Sequence, residues 1–221
     1  MNPKIPENVS AFIAEQEGSN CFLLKGSKQT ALVDSSAAGN SKQLIAFLKE
    51  MKLDAGSIGL ILHTHGHADH IGCDALFPKA EIAMHEKDAE KINNNDVNFA
   101  CAHFFPGTGL PKVSLFLKDN QLIDLGNLQL RILYTPGHTA GSVCFLLEKQ
   151  GVLFSGDTLF AGGIGRTDLP TGDETQLYES LQRLQKISFK TLFPGHGPVL
   201  QGAKENRENI ELVLREIGQI D

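Results

Sequence analysis

The stretch "GLILHTHGHADH", residues 59–70, runs an apolar segment of strand length straight into a loop where four histidines and one aspartate occupy eight positions. Imidazoles and a carboxylate gathered at the end of a buried strand can serve as core residues, a proton relay or metal ligands. In an extended or loosely coiled segment, residues two apart project to similar sides. His65 and His67 can therefore meet one ion, with Gly66 letting the backbone bend between them. Asp69 and His70, a turn further on, reach a second position nearby. The spacing differs from H-E-x-x-H, whose histidines share a helix face.

Each of these two positions needs more than the two ligands the loop gives it, since structural zinc takes four and catalytic zinc three plus water. Three further segments offer them: "TPGHTAG" carries His138, "FSGDTLF" carries Asp157 and "FPGHGP" carries His196. Each lies where an apolar strand gives way to a glycine-containing turn, from which a rigid sheet can present side chains at its edge. Seven ligands suit two ions. His65, His67 and His138 are assigned to one metal, Asp69, His70 and His196 to the other, and the Asp157 carboxylate to the bridge between them. One carboxylate can hold two cations roughly 3.5 to 4 Å apart, the separation used in two-metal hydrolysis.

Composition limits the alternatives. The 221 residues, 41% of them apolar, can bury one sizeable core, so a single domain over 1–221 is expected. A net charge of -6 argues against a nucleic-acid partner. The opening "MNPKIPENVS" has no apolar segment of a secretory signal, and no apolar run reaches the roughly 20 residues of a membrane span. Cys21, Cys73, Cys101 and Cys144 form no C-x-x-C pair, which argues against a disulfide framework or a zinc ribbon and favours a cytoplasmic location.

Along the chain, "NCFLLKG" and "QTALVD" read as two strands joined at Gly26 and Ser27. A helix over about Ser41–Met51 follows, with Leu44, Phe47, Leu48 and Met51 on one face and Ser41 as its N-cap. After the "SIGLILHT" strand, Asp69–Phe77 reads as a short helix ended by Pro78, "AEIAMH" as a strand, and residues 93–111 as an irregular excursion, a possible lid. "KVSLFL", "LQLRILYT", "SVCFLLE" and "GVLFSGD" read as four strands of a second, mostly antiparallel sheet. Helices over about Glu174–Ile187 and Ala203–Ile217 flank a last strand, "KTLFP". Strands then helices, twice over, imply an α+β fold of two sheets packed face to face with helices outside each.

T-H-x-H-x-D-H at Thr64–His70, G-H-T at Gly137–Thr139, G-D-T-L-F at Gly156–Phe160 and P-G-H-G-P at Pro194–Pro198, in this order, resemble the metallo-β-lactamase fold superfamily. "GDTLFAGGIGRTDLPTGD" is similar to its glyoxalase II-like branch, which includes hydroxyacylglutathione hydrolases and persulfide dioxygenases. The resemblance implies a four-layer αβ/βα sandwich of two mixed sheets with helices on the outer faces and the metals at one edge. The function expected is binuclear hydrolysis of a small thioester, of hydroxyacylglutathione type, by metal-bound hydroxide, with Asp69 orienting the nucleophile as well as binding metal. Two divalent ions are expected, zinc before iron or manganese. The alternative is a mononuclear Fe(II) persulfide dioxygenase using His65, His138 and Asp157.

Arg166 lies where glyoxalase II enzymes carry a basic residue that contacts glutathione, so the resemblance implies substrate binding there. The tyrosine that follows in those enzymes is absent, and Asp168 offers Arg166 a purely structural partner. His63 reads as strand packing or support for the ligands, His85 and His103 as surface or loop, and Cys73 as buried packing. Phe104 and Phe105 read as loop anchors, and "KENREN" at 204–209 as a solvated helix face.

Overall fold

The computed structural model describes residues 5–15 and 17–218. Its first sheet has the strand order β1 (Val9–Phe12), β2 (Cys21–Lys25), β3 (Thr30–Val33), β4 (Ile58–Leu62), β5 (Glu81–His85) and β6 (Leu115–Leu117). Helices α1 (Ser41–Glu50), α2 (Ala68–Ile71) and α3 (Glu86–Asn93) lie between its strands in sequence. The second sheet comprises β7 (Leu122–Asp124), β8 (Gln129–Tyr134), β9 (Val143–Leu147), β10 (Val152–Gly156), β11 (Thr191–Pro194) and β12 (Leu200–Gln201), joined by α4 (Glu174–Gln185) and α5 (Ala203–Ile217). Both sheets are mixed: the β3–β6 neighbours run parallel, as do β10 and β11, and the other paired strands run antiparallel.

The alternation of side chains along a strand makes the layers. In β2, Phe22 and Leu24 enter the core between the sheets, while Cys21 and Leu23 face the core under α1 and α3. In β9, Val143, Phe145 and Leu147 face the first sheet, and Cys144 and Leu146 face α4 and α5. Leu44 and Leu48 of α1, Leu177, Leu181 and Leu184 of α4, and Ile210 and Val213 of α5 complete the outer cores. The result is the expected α+β sandwich of two mixed sheets between helical layers. Among the described residues, no helix is long and apolar enough to cross a membrane.

Several local expectations are corrected. "KVSLFL" does not join the second sheet: β6 pairs parallel with β5, at the edge of the first. The helix expected over Asp69–Phe77 is instead the short α2 followed by a 3-10 turn at Asp74–Leu76. The cap position of α1 is Asn40, and Ser41 is its first helical residue, its hydroxyl turned back onto the Ala38 carbonyl. His85 is buried, accepts the Lys87 N–H at the start of α3 and stacks on Tyr134. Cys73 is buried as expected. In "KENREN", Asn206 and Asn209 are buried and hydrogen-bonded to backbone groups of neighbouring segments, so only part of that face is solvated.

Candidate metal centre

β4 ends at Leu62, and the following loop carries His65 and His67 before α2 presents Asp69 and His70. Gly66 is needed here for room: a Cβ would lie 2.8 Å from the Phe99 ring. From the second sheet, the turns after β8, β10 and β11 bring His138, Asp157 and His196 to the same edge. All seven side chains singled out from the sequence are thereby brought together. Potential ligand atoms of His65, His67 and His138 lie within 4.8 Å of one another, as do those of Asp69, His70 and His196, and those of His65, His70 and Asp157.

His67 Nδ1 is 2.9 Å from His138 Nε2, which is 3.2 Å from His65 Nε2. On the other side, His70 Nε2 is 3.3 Å from His196 Nε2, and Asp69 Oδ2 is 3.1 Å from His196 Nε2. Asp157 spans the groups, with Oδ1 3.2 Å from His70 Nε2 and Oδ2 3.6 Å from both His138 Nε2 and His196 Nε2. Two groups of three thus lie on either side of Asp157, and His65 and His70 also approach one another beside it.

Neighbouring groups select the tautomers. His138 donates Nδ1–H to the Arg166 carbonyl (2.7 Å), and His70 donates Nδ1–H to Asp34 (2.9 Å). His138 Nε2 then points a lone pair into the cluster, the arrangement of a metal-ligating histidine. Burial would lower His70, but the Asp157, Asp34 and Asp69 carboxylates raise it well above its usual range, so a cation would displace the proton on its Nε2. Burial, reinforced by the other histidines, pushes His65 well below its usual range, and burial and His138 bring His67 down to about 3. Neutral imidazoles converging at 2.9–3.2 Å cannot all hydrogen-bond to one another, and a cation between them resolves the conflict. Burial alone would raise Asp157, but His70, His138 and His196 hold its carboxyl well below the usual range, and its Oδ1 makes no hydrogen bond among the described residues. The donor set fits a metal centre.

Two carboxylates overlooked in the sequence organise this cluster. Asp34, just after β3 in a left-handed conformation (φ 57°), accepts hydrogen bonds from the Thr64 N–H and hydroxyl as well as from His70. Burial would raise it, but His70 and His63 bring it to about 2. His63 is buried, 2.8 Å from Asp74 and 3.4 Å from Asp34, and so supports the ligands from behind as well as packing in the sheet. Asp88 of α3 reaches from the first half of the molecule to both ligand loops. Its carboxylate accepts the Gly66 N–H (3.0 Å), the Thr139 hydroxyl (2.7 Å) and the Gly141 N–H (2.7 Å).

A cleft of about 400 Å³ opens onto the cluster, with Phe104, Phe105, Phe160 and Leu169 among its walls. Phe104 is 60% exposed, so it is a cleft wall where an anchor was expected. His103 is exposed as read. Arg166 also lines the cleft, and its guanidinium is held bidentately by Asp168, at 2.7 and 2.6 Å.

Residues 14–196 match the model of the metallo-beta-lactamase superfamily. The hydroxyacylglutathione hydrolase GloC of Haemophilus influenzae is 31% identical over 202 residues, covering 86% of this chain and 91% of that protein. Among solved structures, the BLEG-1 B3 metallo-beta-lactamase is 28% identical with a TM-score of 0.75, covering 92% of this chain and 99% of its own. TTHA1623 in a di-iron-bound form is 27% identical with a TM-score of 0.72, covering 90% and 96% respectively. With the sandwich, the edge cluster and these matches in agreement, the chain belongs to the metallo-beta-lactamase superfamily and has the groups suited to metal-dependent hydrolysis.

Proposed function

We propose that this chain hydrolyses small thioesters with two divalent metals, zinc before iron or manganese. In this reading His65, His67 and His138 hold one ion, Asp69, His70 and His196 the other, and Asp157 both. The observation that carries it is the pair of three-residue groups meeting at one carboxylate. Bound there, the metals supply a nucleophile at neutral pH by acidifying water, and act as Lewis acids toward the carbonyl.

The protein's own part is positioning and proton handling. Asp69 lies beside His196 with its side chain partly accessible, placed to orient the attacking water and hold its proton. Asp34 and the Arg166 carbonyl fix the His70 and His138 rings by their outer nitrogens, so neither ring need reorganise during turnover. Thioesters suit such a site because a thiolate, with a free thiol pKa of about 8.5, leaves without a strong general acid. The named activity of the Haemophilus influenzae relative supports the thioester class and makes S-acylglutathiones the first substrates to test. The alternative, a one-iron dioxygenase built on His65, His138 and Asp157, is separated from this reading by metal count and substrate.

The test combines elemental analysis with a panel of thioesters, lactones, phosphodiesters and a β-lactam, assayed on protein purified without oxygen. Two metal equivalents and thiol release from thioesters are expected. Asp157→Ala should remain folded, lose metal and lose activity by more than the roughly 10–100-fold typical of residues that merely support a ligand. One iron with oxygen uptake on glutathione persulfide would overturn the proposal, as would undiminished turnover by Asp157→Ala.

A further inference from the structure

The cleft over the cluster is chemically two-sided. Its floor is the imidazoles and carboxylates already described. Its walls come from elsewhere: Phe104 and Phe105 from the irregular segment between α3 and β6, and Phe160 and Leu169 from the loop after β10. The Phe160 ring stands edge-on to the His196 imidazole, 5.9 Å between centroids at 88°, so the apolar wall reaches the reacting centre. Phe104 leaves most of its ring in solvent at the rim although the chain has two large cores available. Aromatic side chains left open around a concave site are contact area for an apolar ligand.

Charge points the same way. Among the described residues lining the cleft, Arg166 is the single lysine or arginine, and its charge is matched by Asp168, which accepts from Nε and Nη2. A carboxylate on the substrate would have to compete with Asp168 for the one guanidinium there, while a hydrocarbon group would meet three rings and a leucine.

We infer that the substrates are thioesters that present an uncharged, hydrocarbon acyl group to the Phe104, Phe105, Phe160 and Leu169 wall and bring no carboxylate into the cleft. This rests on the thioesterase reading and narrows its substrate class. Hydroxylated acyl groups and glutathione, which carries two carboxylates, are then the poorer partners. Asp168 competes for Arg166, which the resemblance would turn toward a substrate carboxylate.

Two series on the metal-loaded protein test this. The first is hydrolysis of N-acetylcysteamine thioesters with acetyl, butyryl and hexanoyl groups, each beside its glutathione counterpart. The second is calorimetric binding of the matching S-alkyl N-acetylcysteamine thioethers, which cannot be hydrolysed. In the first, kcat/KM should rise about fourfold per added methylene until the cleft is full, and in the second affinity should rise in parallel. Neutral thioesters should outperform glutathione ones of the same acyl group. Phe104→Ala and Phe160→Ala should flatten both slopes, and Asp168→Asn, by freeing Arg166, should shift preference toward the glutathione series. Hydrolysis with no dependence on chain length, or a tenfold preference for glutathione thioesters, would overturn the inference and leave the thioesterase reading standing. Length-dependent thioether binding with no thioester hydrolysed would keep the apolar wall and overturn the reaction.

Discussion

Asp88 is a buried carboxylate held by three donors, two from the loop after β8 and one from the loop after β4. Burial raises it to about 6 against the pull of those donors. Its folded pKa thus lies above the unfolded value near 3.8, so its stabilising contribution is fully present below about pH 4 and is lost as pH rises through about 6. A shift of about two units corresponds to roughly 3 kcal/mol. The fold accepts this because an ionised Asp88 ties Gly66, between His65 and His67, to the segment that follows His138. In Asp88→Asn the pH dependence of chemical denaturation between about 4 and 6 should diminish. The same variant, whose amide would set a donor against one of three donors, should bind metal roughly 10–100-fold more weakly in chelator competition. Wild-type metal affinity in that variant would show that the tie does not position the ligands.

At the scale of elements, the cluster depends on turns that pass very close to it. Gly195 follows β11, and a Cβ there would lie 2.3 Å from Asp157 Oδ1 and 2.8 Å from His70 Cε1. Gly195→Ala should therefore displace the shared carboxylate, lowering metal content and activity at least about tenfold; unchanged elemental analysis would refute this. The convergence of the seven side chains was legible in the sequence because all four segments that carry them follow an apolar strand and contain a glycine. Helices α1, α4 and α5 were legible from the spacing of their leucines and isoleucines. α3 was not: "EKDAEKIN" turns Asp88, Ala89 and Ile92 inward, and a buried aspartate erases the apolar period. β1, "VSAF", is too short to alternate clearly, and the place of β6 depends on a parallel neighbour that no local pattern names. Asp34 and Asp88 escaped notice because a lone carboxylate in sequence looks solvated until its donors, 22 or more residues away, are in view.

Across the whole molecule, His65, His67, Asp69 and His70 belong to the half containing the first sheet, and His138, Asp157 and His196 to the half containing the second. Bound cations would then bridge the halves as well as serve chemistry. At a thousand times its dissociation constant, a ligand specific for the folded state adds about 4 kcal/mol, which for a chain of this size raises the melting temperature by roughly 10 °C. Chelation should reverse that rise and re-addition of zinc should restore it. A melting temperature indifferent to chelator would argue against ions joining the two sheets.

Because each outer triad draws at least one donor from each sheet's half, a complete ion site would form only once the edges of the two sheets have met, including the docking of β11 that delivers His196. Metal uptake would then timestamp the end of folding: a fragment, or a chain trapped half assembled, would offer an ion only part of either triad. Metal-dependent chemistry would thereby be withheld from immature forms of the molecule.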